Sequence, residues 1–474
     1  MRDKLTLKRI LLIAVSLFAV PIMMQAQDAT VPAPAEQSST RNMIKEYLSY
    51  YDSIQNFRYY DQRGVNVFET PKTNVTFQGF RVRFGAGFTQ QFQALKHENK
   101  LATGYQSTNK LYPLQSGFMT AQANLNMDVQ LADGIRLNLV TYLSARHHNE
   151  AWVKGGYIQF DKLPFKGKFW DNLMSVTTIK VGHMEVNYGD AHFRRPDGGQ
   201  TMYAPFMEGL IMDDFATEIG GEVYVGKNGI FGMMGMTNGM IKGNVDSTYI
   251  TKVNGEVMDN DTKRSPSIYF KAGIDKQLAQ KIRLRLTGSY YTNSSSAASG
   301  NTLFSGDRTG SNYQNVMEKV PYGTALPAST AVAFSGRFSP GFSKEVHAYM
   351  LNAFVKIYGL EAFGTYENAK GRVKTETAER SFDQFSLETV YRLGAKENFF
   401  VGAKYNTLTG RPSGATFTKD ITIHRAAFAA GWFLTRNIEL KGEYVIQKYE
   451  DFPISDYRAG GKFNGVVIEA IVGF

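Results

Sequence analysis

The 474-residue chain contains no cysteine. Disulfide frameworks and thiolate metal sites are therefore excluded, and an exported form of it gains no stability from cross-links. With 7 His and no Cys there is no zinc spacing. His147 and His148 are adjacent, so on a strand their rings face opposite ways and cannot chelate one ion. Gly226-Lys227 lacks the glycines of a nucleotide-binding loop. No Ser, His and Asp set is drawn together by spacing. The chain is read as a non-enzyme, with no catalytic residue, no cofactor and no metal. Long apolar runs are missing as well: no stretch approaches about 18 consecutive apolar residues, so helical membrane spans are not expected.

What is present points elsewhere. Tyr (26), Phe (33) and Gly (45) are abundant while Trp numbers only 3. Aromatic girdles and glycine-relieved strands favour a β-barrel over a helical fold. The hydrophobic fraction is 43% yet mean hydropathy is −0.29, as expected where apolar and polar residues alternate.

The start of the chain carries export signals. Arg2, Lys4, Lys8 and Arg9 precede an apolar run from Ile10 to Met24, and Ala26 is a plausible last residue before cleavage. The run is shorter than the roughly 20 residues that a spanning helix needs. Residues 1–26 are read as a signal peptide. Their removal takes away those four bases and Asp3, lowering the net charge from +10 to +7. A basic surface suits lipid head groups, small anions or nucleic acid; export removes nucleic acid. Residues 27–74 read as a flexible periplasmic lead, Pro-containing at first, with 41–62 either a short helix or a loop.

From about Val75 the period becomes two. Met119, Ala121, Ala123, Leu125, Met127, Val129 and Leu131 fall on one face, and Thr120, Gln122, Asn124, Asn126, Asp128 and Gln130 on the other. A helix of period 3.6 would mix the two sets. Asp133-Gly134 marks a tight hairpin before the alternation resumes at Ile135. Similar segments recur at 282–290, 360–367 and 438–447. About 16 strands, give or take two, are expected between residues 75 and 474, with long loops near 95–115, 186–216, 238–265 and 294–329. Short turns on one side and long loops on the other is the outer-membrane asymmetry. Val466, Ile468, Ala470, Val472 and Phe474 share a face, opposite Glu469. A terminal aromatic on an amphipathic strand resembles the assembly signal of bacterial outer-membrane proteins from Gram-negative cells. It implies the barrel-assembly machinery and outer-membrane lipid as partners.

The region Thr178–Met240 resembles the phosphate-selective porin family of the O/P type. The residues that carry this are Ile179-Lys180-Val181-Gly182-His183, Tyr188-Gly189, Phe206, Thr217-Glu218-Ile219-Gly220-Gly221-Glu222-Val223 and Gly235-Met236-Thr237-Asn238-Gly239. The resemblance implies a 16-stranded porin, often a homotrimer, with a loop folded into the pore.

If the aliphatic rows face lipid, Arg81, Arg83, Arg136, Lys180, Arg283, Arg285, Arg392 and Lys404 point into the lumen, as does Lys441. A charge on the lipid face costs about 2–4 kcal/mol at the midplane. Asp128, Glu218, Glu222, Asp275, Glu361, Glu388, Glu439 and Glu443 point inward with them, so the wall is of mixed charge and departs from a purely basic anion path. The loop 190–214 carries Arg194, Arg195, Asp197, Glu208, Asp213 and Asp214 beside the apolar Met202, Tyr203, Phe206 and Met207. It is either a constriction loop, where low-dielectric walls strengthen the field of its charges, or an exposed surface loop. Two functions fit: a passive channel for small hydrophilic or anionic solutes, or a non-conducting barrel that accompanies a surface uptake or secretion complex.

Overall fold

The structure is a computed structural model. It describes residues 54–57, 68–70, 72–144, 152–196, 201–202, 204–239, 247–252, 254–294, 303–304, 312–320 and 334–474. The signal peptide, His147-His148, Asp197 and Tyr203 lie outside the described residues.

Sixteen strands form one closed antiparallel ring. They are β1 (Arg81–Glu98), β2 (Gln122–Ala132), β3 (Ile135–Ser144), β4 (Trp152–Phe160), β5 (Thr177–Glu185), β6 (Thr217–Lys227), β7 (Ile230–Thr237), β8 (Ser267–Ala279), β9 (Ile282–Asn293), β10 (Glu345–Ile357), β11 (Leu360–Arg372), β12 (Arg380–Leu393), β13 (Phe399–Gly410), β14 (Ile421–Thr435), β15 (Ile438–Glu450) and β16 (Lys462–Gly473). Each pairs with its chain neighbours, and β1 pairs with both β2 and β16. Closure is the only way for a sheet to satisfy every backbone group in hydrocarbon. The seam ends on Phe474 and Ala86, which exchange N–H···O bonds of 3.0 and 3.1 Å. The two-residue strand Gly117–Phe118 adds to β1, a separate hairpin pairs 247–251 with 257–263, and one short helix, α1 (Lys168–Met174), precedes β5.

The expected alternation is realised. On β16, Ile468, Ala470, Val472 and Phe474 are exposed while Val467, Glu469 and Ile471 are buried. The outward face carries two aromatic belts. Tyr349 and Tyr405 lie toward the long loops; Tyr391, Phe399 and Trp432 lie toward the short turns, with Phe399 and Trp432 stacked at 5.6 Å. Between the belts the wall shows residues such as Leu351, Leu387 and Val401. This is the band of an outer-membrane barrel, and the chain is an outer-membrane protein by its fold.

Two-residue turns set the register at the short-turn end. At Asp133-Gly134 the glycine has φ +70°, and at Asn228-Gly229 both residues have positive φ (54° and 77°), the conformation that Asn-Gly and Asp-Gly turns supply. A Cβ on Gly229 would stand 2.6 Å from the Asp275 carbonyl oxygen. The first strand begins at Arg81 rather than near Val75. Residues 72–80 have no strand partner among the described residues, and side-chain bonds of Lys72 and Thr73 hold them instead. Described residues of the lead are not loose: Ile54, Gln55, Asn56 and Phe68 are buried.

Leu351 lies at the centre of β10 on the lipid face, 56% exposed. Leu351→Arg is expected to lower the unfolding free energy in lipid vesicles by about 2–4 kcal/mol beyond the smaller loss of apolar transfer in Leu351→Ala. Denaturant titration followed by Trp fluorescence measures it.

Candidate functional site

Inward-facing rows of the wall carry the charges, and most are paired. Arg83 and Arg136 flank Asp128 at 3.9 and 4.0 Å. Both guanidinium groups also stand over the Phe57 ring, and Arg136 donates to Gln159 (2.9 Å). Arg81 shares the row of Arg83. Arg283 holds Asp275 through two bonds of 2.8 and 2.7 Å. Arg392 donates to Glu361 (2.7 Å), and Lys404 stands 2.9 Å from Glu388. Lys180 differs: its ammonium sits over the rings of Tyr157 and Tyr224, at 5.2 and 4.9 Å.

The described residues of loop 186–216 run inside the ring. The loop closes on itself where the Val186 N–H donates to the Ala216 carbonyl (3.0 Å). Its contacts then travel from β9 to β15. Asp190 accepts from Arg285 of β9 (2.7 and 2.8 Å) and Thr287 (2.7 Å). Arg194, in a 3-10 turn over Ala191–Arg194, donates to Glu388 of β12 (3.1 Å). The Ile211 N–H donates to Asn406 of β13 (2.7 Å), and the Met207 N–H to Glu443 of β15 (2.8 Å). The Thr201 and Ala204 carbonyls accept from Lys441 (3.3 and 2.8 Å). A segment can touch inward residues on so many strands only from within the lumen. Met202, Phe206 and Met207 are buried there.

The remaining loop charges gather into one cluster with a residue of another loop. Arg195 donates twice to Asp213 from Nε and Nη2 (both 3.0 Å at best). Arg337 reaches Glu208 (2.8 Å) and Asp213 (2.7 Å). Tyr313 of the same second loop donates to Glu443 (2.6 Å), and the Phe338 N–H to the Ile211 carbonyl (2.8 Å). Burial opposes the charged form of Glu208, yet Arg337 and Arg425 outweigh it and hold its pKa below the usual carboxylate range. At Asp214 the pull of Arg195 is too weak to offset burial. Burial, and then the neighbouring Asp213 charge, push it up to about 8.

Arg337, Lys271, Arg425 and Glu69 were missed by sequence reasoning. Lys271 and Arg425 carried a signal, since each sits at an inward position of an alternating strand (Phe270-Lys271-Ala272, His424-Arg425-Ala426). Arg337 and Glu69 carried none, lying in segments without period.

At the short-turn end a cavity of about 520 Å³ opens among β3–β9 and the segment ahead of β1. Its charged lining is Glu69, Lys72, Arg136, Lys180, Lys227, Asp275, Arg283 and Arg285. Six are cations and two are acids. Among the described residues, neither Lys180 nor Lys227 has a carboxylate within ion-pair distance.

Two outcomes are expected in thermal unfolding. Arg337→Ala leaves Glu208 with no ion-pair partner among the described residues and weakens the hold on Asp213, so a loss of roughly 3–5 kcal/mol is expected, read as a lowered Tm. Asp214 binds its proton more tightly folded than unfolded, where a carboxyl titrates near about 4. Its contribution is therefore complete below that pH and lost as pH rises through about 8. Asp214→Asn is expected to flatten the fall of Tm over that window; an unchanged pH profile refutes the assignment.

No family model matches the chain, and no curated protein matches it in sequence. Solved structures do match. The anion-selective porin from Comamonas acidovorans aligns with 84% of this chain and 100% of its own at 10% identity, with a TM-score of 0.50. In-vitro folded OmpT, an outer membrane protein of Vibrio cholerae, aligns with 83% and 98% at 10% identity and a TM-score of 0.47. Salmonella typhi OmpF in complex with daunomycin aligns with 83% and 97% at 9% identity and a TM-score of 0.44. At such identities the likeness concerns the fold: this chain is built as outer-membrane porins are, on a closed 16-strand barrel.

Proposed function

We propose that the protein is an outer-membrane channel through which small hydrophilic solutes, anions among them, diffuse passively. The observation that carries this reading is the polar cavity at the short-turn end, with six cations facing two acids. Lys180 and Lys227 supply the positive field that the paired charges cancel elsewhere. Screening by water is reduced around the half-buried Lys180, so its ammonium acts strongly on an entering anion, while Lys227 at the turn is exposed. Phosphate selectivity of the O/P type belongs to this reading as its finest part. The mixed wall favours a general preference for anions over a filter for one of them. Insertion by the barrel-assembly machinery, through the row ending at Phe474, and assembly as a homotrimer complete the proposal.

A second reading has its own observation. Loop 186–216 and the second loop fill the middle of the lumen with side chains that are almost wholly buried, Tyr188, Met207, Ile211 and Tyr313 among them. On that reading the barrel is closed and serves a surface complex as a scaffold.

Purified protein in a planar bilayer distinguishes the two. Stepwise conductance is expected, with a reversal potential in a salt gradient that marks anion preference. Lys180→Gln is expected to move that potential toward zero selectivity. Silence at all voltages overturns the channel; conductance with an unmoved potential removes Lys180 from the selectivity.

A further inference from the structure

The segment ahead of β1 is held by the side chains of Gln55, Asn56, Lys72 and Thr73. The Gln55 N–H donates to Gln130 (2.8 Å), and its amide spans Val75 and Asp133 (2.9 and 3.0 Å) while accepting from the Gly134 N–H (2.8 Å). Asn56 and Thr73 exchange hydrogen bonds of 3.0 and 2.7 Å, which joins the two described pieces. Lys72 donates to the carbonyls of Asp161 and Met174 (2.9 and 2.5 Å). These anchors surround the Asp133-Gly134 turn and the foot of β5, so the segment enters from the short-turn end. In outer-membrane barrels that end is periplasmic.

Deeper in, the segment reaches the inward loop. Phe68 is buried against Phe354 (5.2 Å) and Phe363 (6.4 Å) of the wall and Phe193 (5.9 Å) of the loop. Arg285 stands 4.4 Å over its ring. Glu69 contacts Lys271 (3.2 Å) and Arg285 (2.6 Å), and Asn187 of the loop donates to it (3.1 Å). Asp190 of the loop binds the same two cations, at 3.1 and 2.7 Å. One carboxylate from the segment and one from the loop therefore share a single cation pair on β8 and β9. Loss of either would leave buried positive charge uncompensated, which is costly.

We propose that residues 54–57, 68–70 and 72–73 form a stopper, which closes the periplasmic mouth and locks the inward loop through the shared Lys271–Arg285 pair. Withdrawal of the stopper opens the mouth and frees the loop together. Glu69, Asp190 and Asp275 face Lys271, Arg283 and Arg285 in the closed state, three against three. With Glu69 gone the Lys271–Arg285 pair keeps one positive charge in excess, while Lys72 leaves with the segment, so the mouth as a whole keeps its net charge. The anchors are side-chain contacts rather than strand pairing, so the segment leaves without breaking the ring.

This inference rests on the channel reading, and its test separates the two. The full chain is compared with the double variant Phe68→Ala/Glu69→Gln in planar bilayers. A several-fold higher conductance is expected. Equal conductance in both proteins overturns the stopper and leaves the channel standing. A second readout does not need conduction. The chain lacks cysteine, so Thr287→Cys places a single thiol behind Asp190. Its reaction with a water-soluble thiosulfonate is expected to be about tenfold faster in the double variant. Equal labelling rates overturn the stopper even if neither protein conducts. Faster labelling without conductance in either protein upholds the stopper and removes the channel.

Discussion

Everything in this molecule depends on closing the sheet. A strand in hydrocarbon has no water to bond, so both edges must find partners. The ring meets that demand where β1 pairs along its length with β16 and ends at the reciprocal bonds of Ala86 and Phe474. Once the ring is closed, the period of two sends one row of side chains to lipid and the next to the lumen. The outward row is then restricted to apolar and aromatic residues, and the wall's charges are sent inside.

Inside, a second constraint takes over. A charge withdrawn from water is tolerated where it is paired and hydrogen-bonded. Inward arginines and lysines on neighbouring strands find acids across the ladder, as Arg285 does with Asp275 directly opposite it and Arg283 does from two residues along. Others are met by segments that fold into the lumen. Asp190 and Glu69 come from two different segments to one pair of cations, and Arg337 comes from a third to Glu208 and Asp213. The lumen is thus organised by charge compensation around chain that is itself irregular. Backbone without secondary structure is permitted at membrane depth only in such a protected place.

The cavity at the short-turn end is the region where compensation is least complete. Lys180 is stabilised by two aromatic faces rather than by a carboxylate, which retains its charge for a visiting ion. Stability and function pull apart here in a simple way. On the proposed channel reading, paired charges build the constriction and unpaired ones give it a preference.

Much of the barrel was legible in the sequence because strand alternation is a local property. The row from Val466 to Phe474, the Asp133-Gly134 turn, the positions of the four long loops and the inward set from Arg83 to Lys404 follow from side-chain period and turn chemistry alone. Those signals need no knowledge of what lies across the ring. Whether loop 186–216 lay in the pore or in solvent was open, since its charges and its apolar residues suit either place until their partners are known. The partners of Arg337 and Glu69 were not legible at all. They lie 129 residues from Arg337, at Glu208, and 202 from Glu69, at Lys271, and no periodicity links such positions. Period and turns determined a closed barrel with a charged interior; only the tertiary structure decided what fills it, because compensation between buried charges depends on distance in space and not along the chain.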